Sequence, residues 1–334
     1  MSLPDLYPLQ FAPLFKRYLW GGRRLGSLLG KPLGPETDYA ESWEVADHAQ
    51  GQSIVASGPL AGATLHDLVA ARGPELLGRH APQPRFPLIF KFLDCNRDLS
   101  VQVHPDDAAA ARLTPPDLGK TEAWVILAAE PGSRVYAGLK RGVDRTLLEQ
   151  RLAEGRTAEC LASFEPIAGQ CIFIPAGTVH ALGAGLVVAE IQQASDTTYR
   201  LFDWNRVGPD GQPRKLHVTE ALPVIDYAAQ EVHPQVPQPG PAPHIVRLVA
   251  CDKFVLDRWT LSRPAPLGGD GRFHLVAVLE GQAEMIPPPG RDGWFGGQAR
   301  LTLGAGQTVL VPACLGGLQL APQGRAVLLD MYLP

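Results

Sequence analysis

Long apolar runs are missing from this sequence. None approaches the ~20 residues that a helix needs to cross a bilayer, and the opening residues, Met1 to Leu6, show no basic segment followed by an apolar one. A cytoplasmic chain with no membrane partner is expected. Cysteine is scarce and unpatterned: Cys95, Cys160, Cys171, Cys251 and Cys314 are odd in number and never form Cys-x-x-Cys. That argues against both a disulfide framework and a thiolate zinc site. A dominant charge sign is also lacking. A net charge of −4 with 19% charged residues offers no field for nucleic acid or an anionic membrane. No Gly-rich nucleotide loop is present, and no obligate protein partner is evident.

Glycine and proline, by contrast, are abundant. With 35 Gly and 32 Pro, about one residue in five is of these types, against ~12% in an average globular chain. Since 45% of residues are still hydrophobic, the composition suits many short strands joined by tight turns, and 334 residues allow two cores. Apolar runs bounded by turn residues predict strands over Ser53 to Ala56, Leu88 to Phe92, Leu99 to Val103, Ala123 to Leu127, Cys171 to Ile174 and Leu186 to Gln192. Helical spacing predicts helices over Thr64 to Leu77, Arg145 to Ala153 and Thr219 to Tyr227. The proline-rich stretch Pro234 to Pro243 reads as a semi-rigid linker. Beyond it lies an internal echo: Ala168-Gly-Gln-Cys-Ile-Phe-Ile-Pro-Ala176 returns as Ala305-Gly-Gln-Thr-Val-Leu-Val-Pro-Ala313, at an offset of 137.

The chemistry-bearing residues sit at the ends of the first-half strands. His104 precedes Pro105 after a Val-Gln-Val run, Glu122 closes Gly119-Lys120-Thr121-Glu122, and His180 follows Pro175-Ala176-Gly177-Thr178-Val179. A sheet closed on itself aims two imidazoles and a carboxylate at one point inside a barrel, which makes a divalent-metal site. Gln102 is two residues from His104 on a strand, so both face the same side. Zn²⁺, Fe²⁺ and Mn²⁺ all accept such donors. The other histidines lack partners in sequence and are assigned to surface or packing roles. In the echoed copy Cys314 and Gly317 replace Gly177 and His180, so the second half is expected to bind no metal.

Gly169-x5-Pro175-x-Gly177-x2-His180 resembles the second motif of the cupin superfamily, although the asparagine usual four residues after the histidine is here Ala184. The resulting fold expectation is mainly β: two cupin-type jelly-roll β-barrel domains with a few short helices in the N-terminal half. Residues 1–230 form the metal-binding catalytic domain, 231–243 the linker, and 244–334 a degenerate, metal-free copy.

A closer resemblance runs through Tyr39-Ala-Glu-Ser-Trp-Glu44, Leu99-Ser-Val-Gln-Val-His-Pro105, Gly119-Lys-Thr-Glu122 and Ile191-Gln-Gln-Ala-Ser-Asp-Thr-Thr-Tyr-Arg200. Together these motifs resemble the type I mannose-6-phosphate isomerases in their short bacterial form, from about Phe11 to Tyr227. The resemblance implies one zinc per chain held at the positions of Gln102, His104, Glu122 and His180, an active-site arginine at Arg200, and a phosphorylated hexose substrate. Moving a proton between C2 and C1 passes through an enediolate, whose charge needs cations. Lys120, beside a ligand, is placed to meet substrate or shuttle a proton. The base is open among Lys120, Asp196 and a zinc-bound water. Lys91 and Ser100, on neighbouring strands, are candidates for substrate binding at the phosphate. The rival functions are a metal-dependent cupin dioxygenase, which leaves Lys120 and Asp196 to Arg200 unexplained, and a non-catalytic sugar-binding cupin.

Overall fold

Alternation of side chains along short strands, cut by proline and glycine, builds this chain as four layers of sheet. The structure, a computed structural model, describes residues 4–207, 211–228, 231–289 and 300–334. In the first half the main strands are β1 (Leu14–Gly22), β2 (Tyr39–Val45), β3 (Leu88–Cys95), β4 (Val101–Val103), β5 (Glu122–Ala129), β6 (Val135–Leu139), β7 (Leu161–Phe164), β8 (Cys171–Ile174), β9 (His180–Leu182), β10 (Leu186–Gln193) and β11 (Tyr199–Phe202). A six-stranded antiparallel sheet runs β1-β2-β3-β10-β5-β8, and a five-stranded one runs β11-β4-β9-β6-β7. The second half repeats the plan. One sheet orders Gln238–Pro239, Ile245–Ala250, Val255–Leu261, Ala326–Tyr332, His274–Glu280 and Thr308–Val311, and the other Ala265–Leu267, Leu318–Pro322, Gln282–Ile286 and Leu301–Gly304.

Each layer boundary is filled by apolar side chains. Leu93, Trp124, Ile126, Val135, Ala137, Ile172 and Leu182 pack between the first two sheets. On its other face the six-stranded sheet buries Phe90, Phe92, Val125, Val187 and Ile191 against Leu256, Leu275, Leu310, Leu329 and Met331 of the second half. The helix Leu65–Leu77 and the N-terminal segment close that seam: Leu9 and Leu310 exchange two backbone bonds of 2.8 Å. The five-stranded sheet turns Val101, Val103, Ala181 and Leu201 outward, under the helices Arg145–Ala153 and Val218–Ala221. Among the described residues no helix is long and apolar enough to cross a membrane.

The expected jelly-roll barrels are not found. Among the described residues no strand of one sheet pairs with a strand of the sheet it faces, so each half is two open sheets laid face to face. The cause lies at the crossings. The chain passes between sheets through Asn96 to Ser100, Pro131-Gly132, Pro175 to Gly177 and Gly183 to Gly185. Pro131 and Pro175 have no N–H to give, and the other amides at these crossings bond singly to scattered segments, Arg97 N to Trp20 O, Gly177 N to His104 O and Gly183 N to Arg134 O, so no continuous ladder is carried round a corner. Gly177 has φ +86°, and a Cβ there would lie 3.1 Å from the Val224 carbonyl oxygen. The echoed segments occupy matching edge positions of the two six-stranded sheets.

Other expectations shift locally. Ser53 to Ala56 forms no strand, only isolated bridges of Ile54 to Thr64 and Val55 to Phe11. The helix expected over Thr219 to Tyr227 is reduced to Val218–Ala221, because Pro223 stops it. Along the proline-rich stretch Gln235 N donates to Cys171 O at 2.7 Å, and Gln238–Pro239 pairs with Val246 and Arg247.

Candidate active site

Register places the polar residues on two facing surfaces. On β4, Gln102 pairs across the sheet with His180 of β9 on one side and Arg200 of β11 on the other, so the three side chains share one face. Opposite them, Gln192 pairs with Glu122, while Trp124, Glu190 and Lys91 form one row across β5, β10 and β3. The two surfaces meet at one end of the first sandwich, beyond its apolar filling. They bound a cavity of about 260 Å³ lined by Lys91, Ser100, Gln102, Lys120, His180, Asp196 and Arg200, together with Tyr18, Trp20, Glu41, Trp124, Glu190, Thr198 and Arg214. His104 and Glu122 lie behind this wall, at 1% and 0% exposure.

At the cavity floor, ligating atoms of His104, Glu122 and His180 lie within 4.8 Å of one another. His104 Nε2 is 3.5 Å from Glu122 Oε2, and His180 Nε2 is 3.3 Å from Oε1. Each imidazole donates its Nδ1–H to a backbone carbonyl, His104 to Thr197 at 3.0 Å and His180 to Thr178 at 2.8 Å. Both Nε2 lone pairs therefore face inward. Burial, then the Lys120 ammonium, pushes His104 down to about 3, and burial lowers His180 as well, so both imidazoles are neutral. Burial alone would raise Glu122, but Lys120 and the two imidazoles hold it well below the usual carboxylate range. Its Oε1 is buried without a hydrogen-bond donor. Converging lone pairs with no donor at that oxygen fit a divalent cation. Gln102 Nε2 lies 3.3 Å from His180 Nε2, and half a turn of the amide presents its oxygen there instead.

Around this floor lie further charged groups. Lys120 hydrogen-bonds Glu122 and reaches His104 Nε2 at 3.0 Å. Lys91, 4% exposed, is 3.1 Å from Glu190 Oε1 and 3.6 Å from Glu41 Oε2. Burial works against the Lys91 ammonium, but Glu190 and Glu41 raise its pKa and keep it charged. Trp124 donates to Glu190 at 2.9 Å, and its ring stands edge-on to His180. Trp43 donates to Glu41 at 2.5 Å.

The Arg200 guanidinium is fastened at its back. Nε donates to Ser100 Oγ at 3.3 Å, Nη1 donates to Lys215 O at 2.9 Å, and the backbone N donates to His217 Nδ1 at 3.1 Å. No ion pair joins it to Asp196, whose carboxylate accepts no hydrogen bond among the described residues. Arg214 stands on the same wall, held by Asp203.

Every residue singled out from the sequence is thus brought to one end of the sandwich. Sequence reasoning missed Glu41, Glu190, Trp124, Arg214 and His217 as parts of this wall. For Glu190 a signal existed: a carboxylate in the otherwise apolar Leu186-Val-Val-Ala-Glu-Ile191 marks an inward polar position.

The model for the family "Phosphomannose isomerase type I, catalytic domain" matches residues 8–126. A probable mannose-6-phosphate isomerase of Bacillus subtilis is 40% identical over 283 residues, covering 84% of this chain and 88% of the relative. A mannose-6-phosphate isomerase of Streptococcus mutans is 33% identical, covering 83% and 86%. Among solved structures, the mannose 6-phosphate isomerase from Bacillus subtilis superposes with a TM-score of 0.87 at 28% identity, covering 98% of this chain and 100% of that one.

Proposed function

The chain belongs to the type I phosphomannose isomerase family, and from that premise we propose that it interconverts mannose 6-phosphate and fructose 6-phosphate in the cavity of the first sandwich. The observation that carries the reading is the convergence of His104, Glu122 and His180 beside Lys120, Asp196 and Arg200. A Zn²⁺ ion, one per chain, would be held by Gln102, His104, Glu122 and His180, and when bound it supplies a Lewis acid for the sugar's reacting oxygens. In our assignment residues 1–230 are the catalytic unit, 231–243 the linker, and 244–334 a metal-free copy that backs the first sheet.

Aldose–ketose exchange moves one proton from C2 to C1 and one from the C2 oxygen to the C1 oxygen, with no net change in oxidation state. Asp196, a carboxylate with no hydrogen-bond donor of its own, takes the C2 proton and returns it to C1. Lys120, an ammonium already hydrogen-bonded to Glu122, exchanges the proton between the two oxygens. Arg200, stiffened by Ser100 and Lys215, faces the charge that grows on those oxygens in the enediolate. Because its partners are prearranged, little reorganisation opposes that stabilisation. Lys91, ion-paired with Glu190 and Glu41, turns its ammonium to the substrate, while Ser100 meets the phosphate end and braces Arg200.

Elemental analysis paired with turnover of mannose 6-phosphate tests this reading. Stoichiometric zinc is expected, with turnover abolished by chelation and restored by added metal. Full turnover by protein stripped of metal would refute it.

A further inference from the structure

The two imidazoles at the cavity floor are oriented by different means. His180 bonds a carbonyl two residues away, inside its own turn. His104 uses the carbonyl of Thr197, 93 residues along the chain, in the loop between β10 and β11. An orientation borrowed from a distant loop is only as firm as that loop's anchorage.

The anchor is Asp117. Its Oδ2 accepts from both Ser195 Oγ and Thr197 Oγ1, each at 2.8 Å, and its Oδ1 accepts from Arg85 Nη2 at 2.7 Å. The Asp117 backbone N donates to Ala110 O at 3.1 Å, and Thr197 N donates to Ser195 Oγ at 3.2 Å. The side chain is 12% exposed. Asp117 lies in the polar stretch between His104 and Glu122, so the segment that separates two candidate ligands also reaches the loop that orients one of them. That loop carries Asp196 and Thr198, which line the cavity.

We propose that Asp117 is a positioning residue for His104: by holding Ser195 and Thr197 it fixes the Thr197 carbonyl, which keeps His104 as the Nδ1–H tautomer with Nε2 turned to Glu122 and His180. The inference rests on the metal-site reading above. Removing the carboxylate frees two hydroxyls and the Arg85 guanidinium, lets the Thr197 carbonyl rotate, and allows His104 to sample the other tautomer, whose Nε2–H cannot ligate.

Three variants test it: Asp117→Ala, Asp117→Asn, which keeps an oxygen for the hydroxyls, and Thr197→Val, which removes one hydroxyl at nearly constant shape. Zn²⁺ affinity is measured by competition with a chromophoric chelator. On metal-free protein, long-range ¹⁵N–¹H spectra report the His104 tautomer and thermal melts report folding. Asp117→Ala and Thr197→Val should weaken metal binding about 10- to 100-fold with a mixed His104 tautomer, and Asp117→Asn should retain most of the affinity. Lowered melting temperatures with unchanged affinity and tautomer would make Asp117 merely structural and overturn the proposal. A parent chain that takes up no divalent metal overturns the site reading and this inference with it. Metal-binding parent protein whose folded variants bind equally well overturns this inference alone.

Discussion

Glu122→Gln separates the charge of one ligand from its shape. Glutamine is nearly isosteric, and Glu122 is wholly buried, so what the substitution removes is one negative charge and one strong donor oxygen. Zinc sites in peptides bind with roughly 10–16 kcal/mol. Shared over four ligands this is about 2.5–4 kcal/mol each, so zinc affinity should fall by roughly 70- to 900-fold. A second effect appears without metal. The Lys120 ammonium, 3% exposed, hydrogen-bonds Glu122; taking one partner from a buried ion pair costs about 3–5 kcal/mol. Metal-free Glu122→Gln should therefore melt lower than metal-free parent, and the double variant Lys120→Met with Glu122→Gln should recover most of that loss. Elemental analysis after dialysis and calorimetric melts of stripped protein read the two effects separately. Full zinc occupancy in the single variant would remove Glu122 from the ligands. A double variant no more stable than the single one would refute the ion-pair argument.

Three further outcomes are expected. Arg200→Lys loses the fork held by Ser100 and Lys215, so kcat for mannose 6-phosphate should drop by about 10² or more with little change in KM or metal content; a loss confined to KM would make Arg200 a substrate anchor only. Lys253 of the second half is 2.7 Å from Asp107, whose Oδ1 accepts from Gly119 N at 2.8 Å and Gln193 Nε2 at 2.9 Å; Lys253→Gln should lower kcat a few-fold, and an unchanged kcat would show that this exposed contact does not reach the Gly119 to Glu122 segment. In the second half His274 is buried, which works against its charge, but Asp330 at 2.9 Å and Asp270 at 3.3 Å push its pKa up to about 10. The folded value lies above the ordinary ~6.5, so this contribution is whole below about pH 6.5 and is lost as pH rises through about 10. His274→Asn should flatten the fall in urea midpoint between those limits, and parallel curves would refute the pairing.

What could be read from the sequence, and what could not, follows the range of the interactions involved. The strand Cys171–Ile174 and the helix Arg145–Ala153 have the ends expected of them, because their boundaries are local. Gly169 and Pro175 bracket the strand, and Asp144 accepts from Leu147 N at 2.8 Å to start the helix. Strand β1 went unread because its burial is mixed, with Tyr18 and Leu19 exposed at 41% and 49%. Its edge position explains the weak pattern. Ser53 to Ala56 misled for the opposite reason: the composition suits a strand, but Ile54 is 42% exposed and the neighbouring chain offers only single bridges. Whether two facing sheets join at their edges is decided by pairings far apart in sequence, and that is where the barrel expectation failed.

The site divides along the same line. His104, Glu122 and His180 were legible because each ends an apolar run next to a turn, and Gln102 because strand periodicity ties it to His104. Nothing local marks the Thr197 carbonyl, since a backbone oxygen has no sequence signature. Lys91 and Glu190 show the intermediate case. Each is a lone charge inside an apolar strand, which alone says only that a partner must exist. The register of β3 against β10 sets Lys91 directly opposite Glu190. The same pairing turns both toward the cavity, so a single pair of strands neutralises two buried charges and delivers an ammonium to the face where the candidate ligands converge.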